Sequence, residues 1–213
     1  MKTKICKFEG CESEAINFPN SAIKQRYCRD HAISHTVSKV RKESIKKAKT
    51  EKKENTDDLM SCDKYRAKYV QPIINEIARL IDYGQPCIAT GKYNGKMNGG
   101  HYHAVGSNRT LALNLHNIHI QSFESNHFKS GDNLLYKEGL IKTYGLDYFE
   151  RIESLKQTKP IKLTKSELIE IKKLATQVRN NIKKEDLIIR SPENRILLRE
   201  KINDFIGIYQ SIY

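Results

Sequence analysis

Apolar residues between Asp63 and Asp82 form a helical stripe: Tyr65, Tyr69, Ile73 and Ile77 recur every four residues, and Val70, Ile74 and Ile81 widen it. This pattern predicts one amphipathic helix that ends at Tyr83-Gly84, just before Pro86. Six of the eleven glycines then fall between Gly84 and Gly106, a composition that favours turns and short strands over helix. Within that stretch, His101–Val105 and Thr110–Leu113 read as the two arms of a hairpin. Asn126 to Gly131 begins like a short helix that stops at glycine, and a longer helical stretch follows from about Leu134 to Leu155, broken around Gly145.

The rest of the chain divides by the same pattern. Thr164 and Glu167 form a capping box, T-K-S-E, ahead of Leu168, Ile171, Leu174, Val178 and Ile182. Ser191-Pro192 starts a last helix carrying Ile196, Leu197, Ile202, Phe205 and Ile206. These stripes are packing surface rather than chemistry. Residues 36–58 lack an apolar face, but Lys and Glu are good helix formers and no Gly or Pro interrupts them, so a frayed, basic linker helix is expected. The expected organisation is α+β: a small module at 1–35, a charged linker at 36–60, a central domain at 61–158 and a helical C-terminal region at 159–213.

Charge changes what this frame is for. The 213 residues carry 38 Lys and Arg against 25 Asp and Glu, a formal +13, which suits a polyanionic partner such as nucleic acid. No apolar run is long enough for a membrane span, and the N-terminus MKTKICKFEG lacks a signal peptide's hydrophobic region, so an intracellular protein without a membrane partner is expected. In a reducing compartment, clustered cysteines read as metal ligands rather than disulfides.

Three of the five cysteines lie near the N-terminus, in the pattern Cys6-x4-Cys11-x16-Cys28-x2-His31. Zinc takes four such ligands as two short-range pairs joined by a loop that folds back. A module of about 35 residues buries too little apolar surface to stand alone, so a structural Zn²⁺ would supply the missing stability. His35 is a second candidate for the fourth position, although the C-x2-H spacing favours His31.

Five of the seven histidines, His101, His103, His116, His119 and His127, fall between Gly99 and Gly131. Phosphodiester hydrolysis needs a base near neutral pH, a group that orients it, and a divalent ion on the leaving oxygen. A hairpin followed by a short helix brings such groups together, and His101, Asn117 and Asn126 occupy the three places of an HNH-like arrangement. Oxygen-rich ligands point to Mg²⁺ or Mn²⁺. His119 and Arg109 are candidate DNA contacts, and His116 reads as a surface residue.

PCIATG, GGHY, NIHIQ and SNHFKSGDNLLY, followed by a helix with YG and ERIESL, resemble the NinG/Rap recombination proteins of lambda-type phages over roughly residues 5–156. That resemblance implies an HNH-like ββα-metal core and a structure-selective nuclease acting on Holliday junctions and D-loops in the host cytoplasm. It implies His101 as general base, Asn117 as orienting residue, Asn126 as metal ligand and Lys129 as phosphate contact.

Two features depart from that family's pattern. Where it carries two C-x-x-C zinc knuckles, this chain keeps only Cys87, with Thr90, Ser122 and Ser125 at the other three places, so packing or hydrogen bonds must stabilise the core. Where many HNH sites have Asp before the histidine, this chain has Gly100; His103, Asn98 or His127 then stand as candidates to complete the metal shell. The leading expectation is therefore an endonuclease of branched DNA, with a homodimer joined through the tail helices as a hypothesis. A non-catalytic DNA-binding accessory protein with a degenerate site, and a homing- or restriction-type duplex nuclease, are the alternatives.

Overall fold

The computed structural model describes residues 4–15, 26–93, 95–106, 109–128, 133–157, 162–185 and 188–208, with the backbone alone at 109–110 and 127–128. The chain forms two compact units, Met1–Leu59 and Met60–Tyr213.

In the first unit, a bridge between Ile5 and Glu14 closes a tight loop over Cys6 and Cys11. Helix α1, Arg29–Asp58, begins immediately after Cys28, earlier than the linker was expected to start, and places His31 in its first turn. It buries no residue, so its 30 residues rest on local propensity and its own ladder rather than on packing.

The second unit opens with α2, Cys62–Tyr65, then a π turn, Arg66–Val70, then α3, Gln71–Ile81. The predicted single helix thus carries a defect. Pro72 has no N–H to continue the ladder and crowds the carbonyl four residues before it, which favours a wider turn there. The buried positions record the defect, stepping from Tyr65 to Val70 and then to Ile74, Ile77 and Ile81.

Strand β1, Met97–His101, pairs antiparallel with β2, Ile118–Ser122, setting His101 opposite Ile118 and Gly99 opposite Ile120. The first arm therefore shares only His101 with the segment expected from sequence, the second lies wholly outside it, and Arg109–Ala112 is a 3₁₀ turn instead. The reason is at Gly99 and Gly100, which weaken strand propensity but are needed for close approach. A Cβ at Gly99 would stand 2.6 Å from the Asn75 carbonyl oxygen on α3, and one at Gly100 would collide with the Gln121 amide.

Helix α4, Phe123–Phe128, follows β2 directly; α5, Asn133–Tyr144, and α6, Leu146–Leu155, then turn about Gly145 at φ 92°. The chain ends in α7, Lys165–Glu185, and α8, Pro192–Phe205. One core joins Val70, Ile74, Ile77 and Ile81 to Leu115 and Ile118, to Leu168, Ile171 and Ala175 of α7, and to Ile202 of α8. A second holds Cys87, Leu111, Tyr136, Leu140, Phe149 and Ile152. The apolar stripe of the tail thus packs within its own chain. Among the described residues, no helix is long and apolar enough to cross a membrane.

Candidate functional site

Cys6, Cys11, Cys28 and His31 bring four ligand atoms within 4.8 Å of one another. Cys28 Sγ lies 3.2 Å and Cys6 Sγ 3.5 Å from His31 Nδ1, and the Cys11 and Cys28 sulfurs are 3.9 Å apart. Tetrahedral Zn–S bonds of about 2.3 Å place two sulfurs roughly 3.8 Å apart, so the four side chains fit a metal such as zinc. Hydrogen bonds from the Ser13 backbone and hydroxyl draw the Cys11 thiol down to about 7, toward the thiolate that a metal requires. Phe8 stacks on His31 at 4.0 Å and fixes its ring, while His35 stacks on Tyr27 and stays out of the cluster.

In the second unit, His101 closes β1. Its Nε2 lies 2.9 Å from the Ala112 carbonyl oxygen. The Gln71 amide nitrogen lies 3.2 Å from the same ring nitrogen, but its two hydrogens go to Ala112 O at 2.6 Å and Asn75 Oδ1 at 2.9 Å. His101 Nε2 must therefore carry the proton and donate, which leaves the lone pair on Nδ1. Burial holds the ring below its ordinary pKa, opposed by the bond to Ala112 and assisted by the charge of Arg66. A neutral imidazole with a basic Nδ1 can accept a proton at neutral pH.

Asn117 has a different role from the one expected. The group that fixes the His101 tautomer is the Ala112 carbonyl. The Asn117 side chain instead ties the connecting loop together, accepting from His103 N at 2.8 Å and donating to His103 O at 3.0 Å and Leu111 O at 3.2 Å.

Other expectations need correction. His119, expected to meet phosphate, is 1 % exposed, with Nδ1 3.2 Å from the Tyr136 hydroxyl and Tyr144 against its ring. His116, expected at the surface, is fully buried between the Tyr148 hydroxyl at 3.0 Å and Glu200 Oε2 at 2.8 Å. Both lie on or beside β2, which is buried at every position and so has no outward face. His103 is buried and turns Nε2 toward Glu153 at 3.4 Å. Asn126 sits half-buried on α4, directly after β2, and Asn98 on β1. Lys129 lies outside the described residues, as do the side chains of His127 and Arg109. Among the described residues, the N-terminal cluster is the one group of three or more His, Cys, Asp or Glu side chains close enough to share an ion.

The four positions of the altered knuckles share one corner of the fold. Burial pushes the Cys87 thiol up, but hydrogen bonds with Ser122 and Thr90 outweigh it and bring the thiol down. Ser122 Oγ accepts from Ser125 N at 3.3 Å, and Ser125 Oγ accepts from the Gln121 amide at 3.1 Å. Serine hydroxyls thus bond across this corner, while the Thr90 hydroxyl is buried there without a hydrogen-bond partner.

A family model described as "Bacteriophage Lambda NinG protein" matches residues 2–185. The chain belongs to the NinG family. It is 33 % identical over 91 residues to the ninG protein of Escherichia phage lambda, covering 42 % of this chain and 45 % of that one. The ninG proteins of Enterobacteria phage H19B and Salmonella phage P22 are 32 % identical over the same shares. The aligned segment is thus less than half the length of these relatives. No solved structure matches.

The NinG match ends before α8 begins, yet α8 grips the turn that carries Asn117. Arg199 Nε donates to Leu115 O at 3.1 Å, Leu115 N donates to Asn203 Oδ1 at 3.1 Å, and Asn203 Nδ2 donates to Asn114 Oδ1 at 3.0 Å. Arg199 also meets Asp82 Oδ2 at 2.6 Å, with Tyr144 and Arg195 on the second carboxylate oxygen. Burial disfavours charge on Arg199, but Asp82 and the neighbouring tyrosines outweigh it, so the guanidinium stays charged. Sequence reading missed this network, because Arg195 and Arg199 look like ordinary helix-surface cations.

Proposed function

We propose that this chain is a metal-dependent endonuclease of phage recombination that hydrolyses phosphodiester bonds in branched DNA. The observation that carries the reading is the 2.9 Å contact between His101 Nε2 and the Ala112 carbonyl oxygen, which can only accept. The His101 Nε2–H is committed to the Ala112 carbonyl, so Nδ1 holds the lone pair of a general base. Nδ1 would take a proton from water as the water oxygen bonds to phosphorus, and the P–O bond to the departing sugar oxygen would break. A divalent ion, Mg²⁺ or Mn²⁺, would stabilise charge on that departing oxygen, with Asn126 and His127 of α4 as its candidate ligands. Asn117 holds the loop shape and so the distance between β1 and the turn bearing Ala112.

Charge and exposure support a DNA partner. Helix α1 carries exposed lysines and arginines along its length, and the N-terminal module beside it would hold Zn²⁺. Such contacts grip phosphates without reading bases, so selectivity would come from branch geometry, and affinity should fall steeply with salt. Cutting both strands of a junction calls for paired nicks, which favours a homodimer on DNA; light scattering with and without junction tests that.

One observation favours a second reading, a non-catalytic DNA-binding protein. At position 100 the Gln121 amide occupies the space where a side chain would project, and His103 faces Glu153, so donors for a catalytic ion are sparse around His101. The deciding experiment incubates the protein and His101→Ala with a four-way junction and with linear duplex, in Mg²⁺ and in Mn²⁺. Junction cleavage lost in the variant supports the enzyme. Binding without cleavage by either protein supports the accessory reading, and equal cutting of linear duplex supports a duplex nuclease.

A further inference from the structure

The π turn at Arg66–Val70 puts a cation beside His101. In a regular helix, residues five apart point about 140° away from each other. Here the Gln71 N–H bonds to the Arg66 carbonyl, an i to i+5 closure that stacks the two side chains on one face. Arg66 Nη1 then donates to Gln71 Oε1 at 3.2 Å. Gln71 in turn donates to Ala112 O, the acceptor that also fixes His101. A continuous line of hydrogen bonds thus runs from a guanidinium through an amide and a shared carbonyl to the imidazole.

Among the described residues, one carboxylate lies within 4 Å of that guanidinium, and it is not close. The carboxylate it meets, Asp63, is 3.9 Å away with its side chain 53 % exposed, whereas the Arg66 side chain is 13 % exposed. A cation beside an intended base would be unfavourable if its purpose were to hold a proton on that base. It is favourable where a phosphate must approach, because it attracts the anion and keeps the imidazole neutral. Arginine's planar fork also suits two oxygens of one phosphate. π turns inside helices recur at functional sites, since the extra residue re-aims a side chain.

We propose that Arg66 is a further substrate-binding residue of the His101 site, holding a backbone phosphate of the DNA, with Gln71 as a positioning residue that fixes its guanidinium. This rests on the endonuclease reading for its catalytic consequence, but not for the phosphate contact itself. The test measures binding of a four-way junction as a function of salt, in a His101→Ala background so that no substrate is consumed, and cleavage in the otherwise unaltered chain. Removing one phosphate contact lowers the slope of log K against log salt by about 0.9. Arg66→Gln should show that loss and cleave at least tenfold more slowly at saturating DNA, while Arg66→Lys should restore the slope. Arg66→Met, which keeps the aliphatic stem, replaces the glutamine variant if that one melts early.

An unchanged slope in the neutral variants overturns the proposal, and so does the absence of junction binding by the His101→Ala protein. If the unaltered chain binds junctions but cuts none, the endonuclease reading fails alone, and the slope comparison still decides whether Arg66 holds a phosphate.

Discussion

Asn117 grips the backbone of His103 from both sides, its Oδ1 accepting from the His103 N–H at 2.8 Å and its Nδ2 donating to the His103 carbonyl at 3.0 Å. The amide also donates to Leu111 O, so one buried side chain sets the shape of the loop between the strands. Asn117→Ala would leave these groups without partners in the interior, at a cost of roughly 2–4 kcal/mol. Asn117→Asp keeps the acceptor but loses both donated bonds and buries a charge, so it should be no more stable than the alanine variant. Urea unfolding monitored by circular dichroism checks both. A stability loss under 0.5 kcal/mol on the same scale would show that the grip is unimportant.

Arg199 and Asp82 form a pair whose side chains are 0 % and 1 % exposed. Arg199→Met should lower stability by about 3–5 kcal/mol, because the Asp82 carboxylate then lacks its closest partner in a dry site. Adding Asp82→Asn should recover part of that loss, so the double variant should be more stable than the two single losses add up to. Strict additivity in a double-mutant cycle would refute the coupling.

The N-terminal cluster predicts one tightly held zinc per chain by metal analysis, lost in the Cys6→Ser, Cys11→Ser double variant. Cys87→Ala should leave the zinc content unchanged, because Thr90, Ser122 and Ser125 stand where the other three knuckle thiolates would be. Chelation should melt the first unit, since α1 buries nothing that could hold the module together. Two zinc ions per chain would mean that the altered knuckles still bind metal.

Stability should fall as the solution turns mildly acidic. Burial pushes both His116 and His119 below the ordinary histidine value of 6.5, with Glu200 partly opposing the shift at His116. The unfolded chain therefore takes up protons near 6.5 while the folded chain still refuses them. Stability is complete above that value and is lost progressively as pH falls below it toward the folded-state values. The melting temperature should drop between pH 7.5 and 5.5, before carboxylates titrate. A flat profile over that interval would contradict neutral, buried rings.

Much of this architecture was legible in the chain. The cysteine spacing marked the four ligands now found together, because zinc pairs are local in sequence and only one loop must fold back. The capping box at Thr164 and the Ser191 cap marked the starts of α7 and α8, because the first turn of a helix is solved by its own side chains. The stripe from Tyr65 to Ile81 gave the helix but not its π turn, which appears only when the five-residue step in burial is compared with Pro72.

What tertiary structure alone decided is which polar groups are interior. Gly99 and Gly100 argue against a strand until Asn75 and Gln121 are seen to need the space. In a line of text His119 reads as a phosphate contact and His116 as a surface residue, and burial against tyrosines and Glu200 makes both structural. Local periodicity records what a residue does to its own turn of chain. Whether a histidine meets solvent, a carbonyl or a carboxylate 84 residues away is fixed by packing between elements, and periodicity does not encode it.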